Sequence, residues 1–118
     1  MVLKENYQKS SKEFEQDYCS CLGKQSWNCI FLGEFVKAVR YAREGLEIDS
    51  TKTFIYANLV VSLLCQGKYK QAEQICSRHK EELKGSFFLS DFEAFEEANV
   101  IPQKYKKDVE KIKQMLNE

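Results

Sequence analysis

Gly33-Glu-Phe-Val-Lys-Ala-Val-Arg-Tyr-Ala42 and Gly67-Lys-Tyr-Lys-Gln-Ala-Glu-Gln-Ile-Cys76 are two versions of one phrase, thirty-four residues apart. Gly33, Phe35 and Ala38 return as Gly67, Tyr69 and Ala72, and an apolar-rich stretch precedes each copy. A glycine lets the chain leave one helix and turn tightly, because it accepts positive φ without a Cβ clash. The aromatic two residues on fills the wedge between paired helices, and the alanine one turn later lets them approach. Repetition at this period points to helix pairs stacked side by side, so the question becomes what such a stack binds.

Outward from these turns, apolar residues recur at helical spacing. Phe35, Ala38, Val39, Ala42 and Leu46 share one face of a helix over 34–48. The stretch 53–66 is apolar almost all round (Ile55, Tyr56, Leu59, Val60, Leu63, Leu64), as expected of a central helix. A helix over 68–83 carries Tyr69, Ala72, Ile75, Cys76 and His79 inward, and one over 11–32 precedes the first turn, with Gly23 as a place to bend. Six helices are expected in all. The last two follow Gly85: Phe88, Leu89, Phe92 and Phe95 line the first, with Ser90 to Glu93 as a capping box in its opening turn. Tyr105, Val109, Ile112 and Leu116 line the second, with Pro102 at its first position.

The two phrases resemble the tetratricopeptide repeat, with frames Cys19 to Lys52 and Thr53 to Ser86. The second frame fits better: Tyr56 takes the family's bulky position, Leu59 the leucine, and Leu63 replaces the usual tyrosine. In the first, Leu22 and Gly33 fit, whereas Gln25 and Cys29 depart from the pattern, and Ser50 replaces a proline while Asp49-Ser50-Thr51 keeps N-cap chemistry. The resemblance implies an all-α fold of antiparallel helix-turn-helix repeats, a short α-solenoid. The whole chain, 1–118, is read as one domain: repeat 1 over 11–50, repeat 2 over 51–84, and a C-terminal helix pair over 86–118 that caps the stack or forms a degenerate third repeat. The pair is expected to cover the 68–83 helix around Ile75 and His79. Acids Asp91, Glu93, Glu96 and Glu97 in its first segment and lysines in its second favour mutual docking.

Composition narrows the function. Lysine plus arginine equals aspartate plus glutamate, giving formal net charge +0, without the basic footprint of a general nucleic-acid binder. No apolar run reaches the roughly 18 residues that span a bilayer, and Met1-Val-Leu-Lys-Glu-Asn carries no signal-peptide core. Five cysteines, an odd number, favour reduced thiols and a cytoplasmic location. No Gly-rich phosphate loop, serine elbow or zinc-protease spacing appears, and a lone histidine, His79, is expected to pack. Cys19 and Cys21 diverge by about 200° if helical. The expectation is no enzyme, no metal and no cofactor.

What remains is a surface for another protein or peptide. The resemblance implies a concave face built from the first helix of each pair, mapping onto Trp27, Ile30 and Phe31 in repeat 1 and onto Phe54, Ala57, Asn58, Val61, Leu64 and Cys65 in repeat 2. These residues form either an apolar groove for a partner segment, anchored by Trp27, or simply core. The family's carboxylate-gripping lysines and asparagines are matched only by Asn58. Two other readings stay open: an oligomerisation module pairing two copies through Trp27 and Phe31, and an accessory subunit using Cys19 or Cys21 as a redox thiol. A third possibility concerns context, since such repeats often form the tail of a longer chain.

Overall fold

The computed structural model describes residues 2–86 and 88–118, with side chains from residue 12 onward. Among these residues the fold is all helical: α1 (Val2–Phe31), α2 (Phe35–Ile48), α3 (Thr53–Leu64), α4 (Tyr69–Arg78), α5 (Lys80–Lys84), α6 (Phe88–Glu97) and α7 (Lys106–Asn117), with a 3-10 turn at Gln103–Tyr105. None of these helices is long and apolar enough to cross a membrane.

Three turns set the architecture, and all three close the same way. At the first, Gly33 N–H donates to Ile30 O (3.0 Å) and Glu34 N–H to Cys29 O (2.8 Å). At the second, Gly67 N–H donates to Leu64 O (3.0 Å) and Lys68 N–H to Leu63 O (2.9 Å). The third repeats the pattern, Asn99 N–H to Glu96 O (3.0 Å) and Val100 N–H to Phe95 O (3.3 Å). Each is a Schellman closure, in which a left-handed residue turns the chain and satisfies the helix's last carbonyls. Gly33 and Gly67 have φ +75°, and Asn99 has φ 58°. Asparagine tolerates this region better than other side-chain-bearing residues, so it takes the glycine's part in the third turn.

α1 and α2 form a helical hairpin, α3 lies against both, and α4 pairs with α3. Small residues permit this closeness. A Cβ on Gly45 would lie 2.9 Å from Ile55 Cδ1, while buried Cys19 Sγ donates to Gly45 O (3.2 Å) and buried Ser26 Oγ to Ala38 O (2.7 Å). α3 is enclosed: Ile55, Leu59, Val60, Leu63 and Leu64 are all buried. The molecule measures 58 × 29 × 21 Å, elongated because α1 has 30 residues against 14 in α2.

Several expectations change. α1 runs unbroken from Val2 through Gly23: Gly23 admits a neighbour instead of bending the helix, since a Cβ there would lie 2.7 Å from Phe54 Cζ. The helix expected over 68–83 breaks at His79 (φ −118°, ψ 27°) into α4 and α5, where the His79 ring stacks on Tyr56 at 3.9 Å and its Nδ1 meets Glu82 Oε2 at 2.9 Å. Ser90 lies inside α6, and Ser86 Oγ accepts the Phe88 N–H instead (3.2 Å). Pro102 precedes the 3-10 turn, and α7 begins only at Lys106.

The C-terminal pair does not close over Ile75 and His79, which line an open cleft of about 350 Å³ with Arg43, Tyr56 and Arg78. α7 packs on α4 and α5, whereas α6 lies across α3. Size explains the placement. The rings of Phe88, Phe92 and Phe95 are fully buried, and the broad apolar face of α3 and the end of α1 supply the area that three aromatics need. Lys113 of α7 reaches Glu96 of α6 and, at 3.4 Å, Glu110, so opposite charges do join the two segments.

Candidate functional site

The face shared by α1, α3 and α6 holds the residues picked out from the sequence. On α1, Gly23, Trp27 and Phe31 follow one another at four-residue steps and so share a stripe. Trp27 and Phe31 meet edge to face (centroids 5.2 Å apart). Phe95 closes the group, 4.6 Å from Trp27 and 4.8 Å from Phe31. Separations of this kind suit offset or tilted aromatic pairs.

α6 therefore occupies the surface around Trp27 and Phe31 that an open groove would leave to a partner. Ile30, Ala57, Asn58, Val61, Leu64 and Cys65 are buried, so these six are interior in the folded chain. Asn58 serves the fold directly, because its Nδ2 donates to Gly23 O (3.0 Å) and ties α3 to α1, while Ser62 Oγ donates to Asn58 O (2.7 Å). Trp27 and Phe31 are partly buried against the core. Phe54 stays 43% exposed, which makes it the most accessible of the nine residues in the expected groove.

What α6 leaves open is a cleft of about 320 Å³ lined by Gly23, Lys24, Trp27, Phe54, Asn58 and Asp91. α1 supplies the floor through Gly23, whose missing Cβ lets Phe54 lie over the helix. Trp27 and Phe54 provide aromatic surface. Asp91 lies in the first turn of α6, half-buried, and burial pushes its carboxyl above the ordinary value. No ion pair reaches it among the described residues, and Lys24, although on the same cleft, is not joined to it.

Asp91 and Phe95 were not among the expected site residues, yet a signal for them existed. They stand thirty-four residues after Ala57 and Val61, two of the residues expected in the groove, and Phe95 is also two periods after Trp27. Continuing the period past Gly85 marks both. The third turn hides that continuation, because Asn99 takes the glycine's part and comes thirty-two residues after Gly67, two short of the period.

The thiols are dispersed. Cys19, Cys29, Cys65 and Cys76 are buried and Cys21 is exposed, all five free. Burial pushes Cys65 and Cys76 up to about 12 and also raises Cys19 and Cys29, which disfavours the reactive thiolate. Among the described residues no three His, Cys, Asp or Glu side chains group closely enough to hold a metal ion. Comparison with protein-family models, with curated proteins and with solved structures finds no match to this chain.

Proposed function

We propose that this chain is a tetratricopeptide-like helical-repeat module that binds a peptide segment of another protein, with its contact site at the cleft between α1, α3 and α6. The observation that carries the reading is the cleft itself: a recess of about 320 Å³ lined by Trp27 and Phe54, on the face that these three helices share. The repeated Schellman closures at Gly33, Gly67 and Asn99 support treating α6 and α7 as a third, degenerate pair. Aromatic side chains at a recess are the usual anchors of binding energy. A cleft this size takes one side chain and its flanking backbone, so the partner contributes an extended segment. A reducing, cytoplasmic setting suits five free thiols.

Peptide display on the folded protein tests this. Segments enriched on the wild type should alter Trp27 emission and lose binding to Phe54→Ser, which alters an exposed ring and leaves the core intact. Enriched segments indifferent to Phe54 and silent at Trp27 would refute the site.

A second reading, self-association, draws on a different surface. Phe14 and Tyr18, one turn apart on α1, are 63% and 58% exposed. Trp27 and Phe31, the pair first considered for dimerisation, face Phe95 instead. Sedimentation of wild type and Tyr18→Glu separates the two: a dimer abolished by Tyr18→Glu favours self-association.

A further inference from the structure

We infer that the α1–α3–α6 cleft selects a cationic side chain, with the aliphatic stem of a partner's lysine or arginine lying against Trp27 and Phe54 and its charged head meeting the Asp91 carboxylate. This rests on the peptide-binding reading above and adds the chemistry of the residue that is bound.

Asp91 is the starting point. Its carboxylate is half-buried at a recess and has no ion-pair partner among the described residues. A charge withdrawn from water without a partner destabilises a fold, and evolution of stability alone would remove it. Its position in the first turn of α6 offsets part of that burden, since the positive end of the helix dipole favours an acid there. A fully exposed carboxylate would gain the same benefit without desolvation. Placement inside an aromatic recess is what the dipole does not explain.

The walls agree with a cation. Trp27 and Phe54 line the same cleft as the acid, and a cation over such a ring is attracted by its quadrupole, most strongly for tryptophan. A lysine or arginine has both parts that the cleft demands, an apolar stem and a charged head. Glutamate would meet Asp91 with like charge. An aliphatic side chain would fill the walls but leave the carboxylate buried and unpaired.

Lys24 adds a discriminating feature. It is the cleft's own cation, exposed and not bonded to Asp91, so it repels an incoming positive head and competes for the acid. Removing it should therefore strengthen binding of a cation and leave a neutral guest unaffected.

Trp27 is the sole tryptophan and lines the site, so its emission reports occupancy directly. The probes are capped pentapeptides, two alanines on each side of a central lysine, arginine, norleucine or glutamate, titrated into the full chain by Trp27 fluorescence and by the Gly23 and Asn58 amide resonances. Lysine and arginine peptides should bind about tenfold more tightly than norleucine, and the glutamate peptide should be the weakest. Asp91→Asn should erase the lysine-over-norleucine preference while the variant melts at the wild-type temperature or higher, a combination that a merely structural acid would not give. Lys24→Ala should raise lysine-peptide affinity alone. Equal binding of lysine and norleucine peptides to wild type would overturn the cation inference and leave peptide binding standing. An unchanged preference in Asp91→Asn, or no response at Trp27 and Gly23 to any of the four, would also overturn it. The peptide-binding reading itself is judged separately, by the Phe54 dependence of displayed segments.

Discussion

Replacing Phe95 with alanine should destabilise the protein more than any single change on its surface, and the amount follows from what the ring touches. Phe95 is fully buried, with its centroid 4.6 Å from Trp27 and 4.8 Å from Phe31. Removing a buried phenylalanine ring costs about 3–5 kcal/mol, transfer and cavity together. Set against a domain stability of about 5–15 kcal/mol, this leaves a marginal fold. In urea, with a slope of about 2 kcal/mol per molar, a loss of about 4 kcal/mol lowers the midpoint by about 2 M. Unfolding is followed by far-ultraviolet circular dichroism and by Trp27 emission, which should shift red in the native variant as water reaches the indole. Phe14→Ala is the control: at 63% exposure, it should stay within about 0.5 kcal/mol of wild type. A double-mutant cycle of Phe31→Ala with Phe95→Ala should return a coupling of about 0.5–1.5 kcal/mol from the ring pair. A Phe95→Ala loss below about 1 kcal/mol, with native Trp27 emission unchanged, would refute the reasoning that α6 closes over the α1–α3 face.

Further outcomes follow from the same packing. Gly33→Ala, where an added Cβ meets nothing within 4 Å, should lose only the left-handed strain of about 1–2 kcal/mol; Gly67→Ala should lose more, because its Cβ would lie 2.7 Å from the Tyr105 ring, and urea midpoints rank the two. Burial holds the Asp91 carboxyl above its ordinary 3.8, so the native state keeps a proton that the unfolded chain releases and stability falls as pH rises through that window. Asp91→Asn lacks this slope, and its stability advantage over wild type should grow upward from about pH 4 before levelling; an advantage that shrinks with pH contradicts the sign. Of the five thiols only Cys21 is exposed, so a thiol reagent should label one site rapidly in native protein and the remainder only on unfolding, as counted by mass. A chain ending at Lys84 loses the buried rings of Phe88, Phe92 and Phe95, each contributing about 1.5–3 kcal/mol, and should unfold or aggregate by light scattering and thermal melting.

Local chemistry determined a large part of this protein before any coordinates. Gly33 and Gly67 mark their turns because positive φ is a property of the residue and its immediate neighbours, and the structure shows φ +75° at both. The helical character of the chain and the enclosure of α3 are likewise written in a short-range period, since side chains at three- and four-residue steps share a face whatever they later meet. The third turn was harder to see because Asn99 stands where a glycine would have announced it, although its φ of 58° turns the chain in the same way.

The tertiary structure alone decided which face α6 covers. Period locates the apolar side of α6 but not its neighbour: Phe95 meets Trp27 and Phe31 through contacts more than sixty residues apart in the chain, chosen by area and shape. Packing of α3 among its neighbours made Ile30, Ala57, Val61 and Leu64 core. Asn58, expected to face a ligand, instead ties α3 to α1 at the Gly23 carbonyl. The placement of α6 also brings Asp91 to the cleft that Phe54 lines. A side chain's type and spacing are local, whereas burial depends on what arrives from elsewhere in the chain, as Phe95 does at Trp27 and Phe31.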